Sequence, residues 1–182
     1  MSETVLRIRF LGDSVLRKKS NMVKQITDAH RDILSKMARL MYEQSGVGLA
    51  APQVGINQSM IVVDIGTGLY ELINPKIIKR EKHQTLEEGC LSVPGVCIKV
   101  RRAKKVIIQA FDQNAVPVTI EAEDLLACVF QHEIDHLSGK LIVDYASLFD
   151  KIKIRGKIEE LKKRPKNEEL SKSETKSCKL QL

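Results

Sequence analysis

The stretch LLACVFQHEIDHLSG, residues 125–139, places two histidines four residues apart inside an otherwise apolar run. Its pattern predicts a helix over 125–137, and helical residues advance about 100° each. His136 then lies about 40° from His132, and Glu133 lies about 100° from it. Both imidazoles therefore face one side of the helix, with a carboxylate beside them. This pattern favours two ligands on one metal ion next to a general base over two surface histidines.

A third ligand is needed, and the residues leave its identity open. Ile142 stands where a metzincin would have its third histidine, which excludes that class. A thermolysin-like enzyme would use a glutamate on a later helix, and Glu159 or Glu160 has a suitable spacing. Alternatively, Cys90 lies in EEGCLSVPG, residues 87–95, where glycine and proline fix the backbone. A thiolate with two imidazoles would leave a fourth coordination position open, as in catalytic sites.

The remaining elements predict a single α+β domain. A helix over 27–45 follows a possible cap at Thr27, and a third helix is expected over 148–163. We expect Asp124 to cap the metal-binding helix, Gly139 to end it, and Gly46 to permit the chain reversal after the first helix. Strands are expected at 59–65, 70–80, 96–101, 104–112 and 116–122. These strands are mostly sequential neighbours, so the sheet should be mostly antiparallel around a central metal-binding helix, with N-terminal and C-terminal helices beside it.

Composition places the chain among cytoplasmic globular proteins. It has 182 residues and a net charge of +7, and no apolar run approaches the roughly 18 residues of a membrane helix. A secretory signal is not evident at the start, so the four cysteines are expected to be thiols. Residues 147–182 carry 11 Lys/Arg against 6 Asp/Glu. Such a basic end is attracted to polyanions such as ribosomal RNA, although a solvated helix and a disordered tail from Pro165 onward would also explain it.

Three motifs together carry a family resemblance. They are GVGLAAPQ at residues 46–53, EGCLS at 88–92 and QHEIDH at 131–136. Because these motifs, in this order, match the peptide deformylase patterns at every defined position, the chain resembles that family. The similarity runs from about residue 5 to about residue 163.

The resemblance implies a metal centre and a reaction. Cys90, His132 and His136 would hold one divalent ion, which is Fe(II) in the family, with zinc, nickel or cobalt as substitutes. Ligand softness alone would favour zinc. Glu133 would act as general base and then as general acid. The substrate would be the N-formyl group on the initiator methionine of nascent polypeptides, and formate would be released.

The resemblance also assigns the residues around the reacting group. Gln53 and the backbone N–H of Leu91 would bind the developing oxyanion, and Gly48 would line the cleft. Glu88 would pair with Arg102, with the neighbouring Arg101 as the alternative partner, and this pair would hold the Cys90 loop.

An apolar stripe on the metal-binding helix suggests a methionine pocket. Leu125, Cys128 and Val129 lie within about 60° of His132 on the helical wheel. We expect them to form the pocket with Val47 and Leu86, although ordinary core packing explains each residue singly.

Cys97 departs from the family pattern. Gram-negative-type members often have a basic residue at this position near the cleft mouth. The family pattern therefore does not predict how this chain holds the downstream part of the peptide.

We therefore expect a monomeric enzyme with a catalytic domain over residues 1–163 and a basic, disordered tail over 164–182. The nascent chain would be its partner, and the ribosome would be a further partner that binds the C-terminal helix. We do not expect the protein to bind a membrane. The open alternatives are a metallopeptidase with a downstream glutamate ligand and a non-enzymatic, metal-stabilised RNA-binding module.

Overall fold

The computed structural model describes residues 5–165, Leu170 and Cys178. This part of the chain contains the helices α1 (Asp28–Glu43), α2 (Asp124–Leu137) and α3 (Leu148–Lys162). The strands are β1 (Gly48–Ala50), β2 (Met60–Val63), β3 (Tyr70–Glu81), β4 (Gln84–Glu88), β5 (Ile98–Arg102), β6 (Lys105–Phe111) and β7 (Pro117–Glu123). Short 3-10 turns cover Ser14–Arg17, Ala51–Val54 and Ile142–Tyr145.

These strands form two antiparallel sheets. Five strands pair in the order β1-β2-β3-β6-β7, and β4 pairs with β5 in a separate two-stranded sheet. The prediction of an α+β domain with mostly antiparallel strands is confirmed, and similarity to solved structures supports it below.

Helix α2 lies at the centre because residues 125–130, in its first half, are apolar on every side of the helix. Residues 127–133 of α2 are all buried, and 127–130 pack into one cluster with side chains of β2, β3, β6 and β7. A helix that is apolar nearly all round must be enclosed by other elements. Helix α1 is amphipathic instead, and its buried face packs on β2 in a second cluster. The two histidines of α2 are therefore carried into the interior by their own helix.

Helix ends follow the sequence with two corrections. Thr27 is the N-cap of α1, and Gly139 adopts φ +72° directly after Ser138, the C-cap of α2, both as predicted. However, Asp124 is the first residue of α2 and not its cap, because Glu123 occupies the extended N-cap position. After α1 the left-handed residue is Ser45 and not Gly46, whose N–H donates to the Met41 carbonyl.

Two strands were not predicted. β1 and β4 exist through pairing with distant strands, β2 and β5 respectively. β1 matters most for the site, because it carries Gly48 past α2.

Helix α3 packs on the domain with one face only. Ile154, Ile158 and Leu161 join a third cluster that includes Leu11 and Leu16. The first two turns project three large apolar side chains into solvent; these are Leu148, Phe149 and Ile152, exposed by 82%, 77% and 76%.

The expectation that all four cysteines are thiols is wrong for two of them. Cys97 and Cys178 form a disulfide, while Cys90 and Cys128 are free and buried. Leu170 also contacts the domain, packing against the second cluster. The prediction of a disordered tail otherwise falls on residues outside those described. None of the helices in the described part of the chain has the length and apolar character needed to cross a membrane.

Candidate metal centre

Three ligand atoms converge where α2 meets the segment after β4. The Cys90 Sγ lies 3.3 Å from the His136 Nε2, and this nitrogen lies 3.1 Å from the His132 Nε2. All three ligand atoms lie within 4.8 Å of one another, and all three residues are buried. The structure thus brings together the three predicted ligands, which the sequence placed on two separate segments.

The donor set fits a divalent metal ion. Metal–nitrogen bonds of about 2.1 Å and metal–sulfur bonds of about 2.3 Å in a tetrahedral site separate neighbouring donors by roughly 3.4–3.6 Å. The two short separations agree with this to within a few tenths of an ångström. Burial lowers the pKa of His136, which favours the neutral imidazole that can bind a metal ion. Burial also raises the pKa of Cys90, and a nearby cation would stabilise the thiolate against this effect.

Glu88 fixes the orientation of His132. The His132 Nδ1 donates to the Glu88 Oε2 at 2.9 Å, which leaves the Nε2 lone pair facing the other ligands. Arg102 donates to both Glu88 oxygens, at 2.8 and 2.9 Å, and the Cys128 thiol donates to Oε1 at 3.2 Å. Burial opposes ionisation of Glu88, but the bonds from Arg102 and His132 outweigh it and lower its pKa to about 2. The structure shows the expected Glu88–Arg102 pair.

Sequence reasoning missed two residues in this network. The Arg102 Nη1 also donates to the Asp135 carboxylate, which accepts a 2.7 Å bond from the Tyr145 hydroxyl. The Arg102 guanidinium lies over the Tyr145 ring, 4.9 Å from its centroid. Asp135 was visible inside HEIDH, whereas nothing local in the sequence marks Tyr145. Together they extend the support of His132 outward to the surface.

The Glu133 carboxylate is buried beside this centre without a partner. The residue is 0% exposed, and neither carboxylate oxygen has a hydrogen-bond partner among the described residues. Burial raises the pKa of Glu133 well above its usual value. Burying a carboxyl group without a hydrogen-bond partner is unfavourable in free energy. A buried carboxyl group with a raised pKa is typical of residues that transfer protons in active sites.

Gly48 makes the space that the Glu133 carboxylate occupies. A Cβ on residue 48 would lie 2.8 Å from the Glu133 Cδ and closer still to its Oε1. The φ of Gly48 is not in the left-handed region, so space and not backbone conformation requires the glycine.

We expect Gly48→Ala to lower kcat/KM by about 10²-fold while the metal content stays the same, because the added methyl displaces the carboxylate. The measurement is steady-state kinetics with elemental analysis. Gly156→Ala is the matched control, because its Cβ meets nothing within 4 Å. That variant should keep full activity and gain about 1 kcal/mol in the free energy of unfolding. Full activity in Gly48→Ala would show that the carboxylate has room to move.

The Gln53 amide is held with its NH₂ group toward the metal ligands. Its Oε1 accepts from the Ala50 N–H at 2.7 Å, and its Nε2 lies 3.6 Å from the Cys90 Sγ. Because the oxygen is occupied by a backbone donor, the hydrogen-bond network assigns the amide orientation. Leu91 follows Cys90 directly and is itself fully buried, so one segment positions both the ligand and the Leu91 N–H.

The predicted pocket residues lie in one cluster but differ in exposure. Val47, Leu86 and Leu125 are partly exposed where they pack on the cluster that contains Cys128 and Val129. Cys128 and Val129 are fully enclosed, and the Cys128 thiol is used by Glu88.

The rival glutamate ligands lie elsewhere. Glu159 and Glu160 are exposed on α3 and pair with Arg155 and Lys157 of the same helix. Within the described residues, the three ligands above form the group that could hold a metal ion.

Comparison with known proteins agrees with this geometry. The family model for polypeptide deformylase matches residues 5–151. The chain belongs to the peptide deformylase family. A peptide deformylase from Halothermothrix orenii is 51% identical over 142 residues, covering 77% of this chain and 92% of the relative.

Solved structures of the family have the same fold. A peptide deformylase from Thermus thermophilus aligns with a TM-score of 0.83 at 34% identity, covering 87% of this chain and 98% of that one. A peptide deformylase from Legionella pneumophila aligns with a TM-score of 0.82 at 37% identity over 89% of this chain and all of the other. The family resemblance read from the three motifs is confirmed, and the chain is an enzyme of the metallohydrolase type.

Proposed function

We propose that the chain hydrolyses the N-formyl group from the initiator methionine of nascent polypeptides and releases formate. The observation that carries this proposal is the buried group of Cys90, His132 and His136 beside the unpartnered carboxylate of Glu133. Family membership supplies the reaction class.

The Cys90 thiolate and the neutral imidazoles of His132 and His136 would hold one divalent ion. Fe(II) is proposed on family grounds, although zinc, nickel and cobalt suit the same donors. A bound divalent ion supplies Lewis acidity, which lowers the pKa of water and polarises the formyl oxygen. The stiff support of His132 by Glu88 and Arg102 keeps the ligand geometry fixed.

Proton transfer is assigned to Glu133. Its carboxylate would take a proton from the attacking water and deliver it to the departing amine nitrogen. The raised pKa suits this role, because a base must also be able to hold the proton before giving it up.

The developing oxyanion would be bound by two donors fixed in advance. These are the Gln53 NH₂, whose carbonyl oxygen is held by the Ala50 N–H, and the backbone N–H of Leu91. Donors fixed before the reaction need no reorganisation when charge develops, which is where their catalytic effect originates.

The methionine side chain is proposed to contact Val47, Leu86 and Leu125, with Gly48 lining the cleft. These three apolar side chains are partly exposed in one cluster. Cys128 and Val129 would form the floor beneath them.

Purified protein is expected to release formate from a formyl-Met peptide and to leave the matched acetyl-Met peptide intact, with no new amine groups. The formyl group is the smallest acyl group and fits a centre crowded by β1, α2 and the Cys90 segment. Formate is measured enzymatically, and new amine groups are counted in parallel. A metallopeptidase would instead produce amines without formate, which would contradict the proposal.

We further propose a cytoplasmic monomer with a catalytic domain over residues 1–163 and a tail over 164–182. The burial of Leu161 in the third cluster supports including α3 in the domain. The Cys97–Cys178 disulfide is unusual for a reducing compartment.

Ribosome association is proposed through the exposed basic side of α3. Lys151→Ala with Lys153→Ala should reduce the slope of log affinity against log salt by about two, because each phosphate contact contributes about one. Sedimentation with ribosomes at several salt concentrations measures this. Lys24→Ala with Arg39→Ala is the control, since both are exposed and remove the same charge elsewhere. Equal slopes for both double variants would exclude α3 as the contact. Deleting 147–182 is a weaker test, because it also strips Leu161 from the core.

A further inference from the structure

A concavity bounded by Arg102 and Asp135 has four cationic side chains among its nine lining residues. Its volume is about 300 Å³. The residues that matter for its chemistry are Arg80, Arg101, Arg102, Lys140, Asp135 and Tyr145.

Separate segments bring the positive charges together. Arg80 comes from the end of β3, Arg101 and Arg102 are neighbours on β5, and Lys140 follows α2. These three segments lie far apart in the sequence, so the fold, and not a single charged run, brings the four charges together.

The charge of Arg102 is already balanced, whereas three other charges are not. Arg102 is 5% exposed and pairs with Glu88 and Asp135. Arg80, Arg101 and Lys140 are exposed, and none of them makes an ion pair within residues 5–165. The rim therefore carries three positive charges around a floor that is close to neutral. Clefts lined by one sign of charge concentrate counter-ions.

We propose that this concavity binds a phosphate-bearing anion. Two guanidinium groups favour phosphate, because their fixed forks match its oxygens in a bidentate manner. Three positive charges at the rim favour a ligand with more than one negative charge. The volume also exceeds that of a single phosphate and is at the lower end of small-molecule pockets, roughly 300 Å³ upward. The same phosphate chemistry is offered by a free small polyphosphate and by consecutive phosphates of an RNA backbone.

The concavity contains none of the proposed catalytic residues. One of its lining residues, Arg102, nevertheless supports the proposed metal ligand His132 through Glu88. Arg102, at the floor, donates to Glu88, and Glu88 accepts from His132. A bound anion would thus lie two side chains, Arg102 and Glu88, away from the proposed metal ligand His132.

The test titrates metal-loaded, full-length protein with inorganic pyrophosphate by calorimetry and with a hexauridylate RNA by fluorescence anisotropy. Arg80→Ala with Arg101→Ala should weaken binding by about tenfold or more, since each tenfold is about 1.4 kcal/mol. Lys24→Ala with Arg39→Ala, which removes equal charge elsewhere, should change binding less than about twofold. Melting curves check that each variant is folded, and Lys140→Gln provides an independent rim variant that should also weaken binding.

The two probes distinguish the sources of the phosphate. Pyrophosphate binding that is sensitive to the rim variants identifies a small polyphosphate site. Rim-sensitive binding of the RNA alone identifies an RNA contact. Absence of binding to both, or equal binding by the rim and control variants, overturns the proposal. The latter result would place pyrophosphate on the metal ion, or RNA on α3.

Discussion

Replacing Glu133 with alanine is expected to lower kcat/KM by roughly 10²–10⁴, the usual contribution of a positioned proton-transfer group, while the metal stays bound. Glu133 is fully buried, its pKa is raised by burial, and its oxygens have no partner among the described residues. Nothing in that environment gives the carboxylate a structural task. The metal ligands are held by Glu88, Arg102 and the Cys90 segment, so the loss should appear in turnover alone.

Formate release and metal content measured on the same samples separate the two effects. Glu121→Ala removes an exposed carboxylate from β7 and is the matched control, with an expected change in kcat/KM below about twofold. Turnover that survives Glu133→Ala would remove this residue from proton transfer. Loss of the metal together with activity would mean that the carboxylate has a structural role after all.

Replacing Cys90 with serine is expected to weaken metal binding by more than about 10²-fold and to abolish formate release. Loss of a residue that only hydrogen-bonds to a metal ligand typically weakens metal binding by roughly 10–100-fold, and loss of a ligand should have a larger effect. The hydroxyl has the same position but is a much poorer ligand for the metals that two imidazoles prefer. Since Cys90 is 0% exposed, no solvent ligand easily replaces its sulfur.

Competition with a chromogenic chelator gives the affinities. Glu160→Ala is the informative control, because the rival peptidase arrangement requires Glu159 or Glu160 as the third ligand. The Lys157–Glu160 pair is exposed on α3, so that variant should keep its metal and its activity. The opposite pattern, with metal retained by Cys90→Ser and lost by Glu160→Ala, would reverse the assignment of the third ligand.

The local sequence pattern correctly predicted those helices and strands whose own side chains determine their secondary structure. The periodicity of α2 placed His132 and His136 on one face, and the β-branched runs located most of the large sheet. β1 and β4 were missed because their sequences, GLA and QTLEE, have few β-branched or aromatic residues. Pairing with β2 and β5 stabilises these strands, and that information is not local.

Long-range contacts explain what remained unpredicted in the site. Cys90 as third ligand followed only from the family resemblance, since helix geometry left the later glutamates open. The contact of Gly48 with Glu133 requires knowing that β1 passes α2. The Cys97–Cys178 bond joins residues 81 positions apart, and reasoning from the compartment argued against it. Tyr145 reaches Asp135 through a turn that the sequence does not mark.

The contact between β1 and the Glu133 carboxylate bears on how this enzyme could escape an inhibitor. A compound that rests on the backbone at position 48 touches a place where any side chain displaces Glu133. Resistance substitutions at that position would forfeit the catalysis they are meant to preserve, so escape would have to come from residues farther along the cleft.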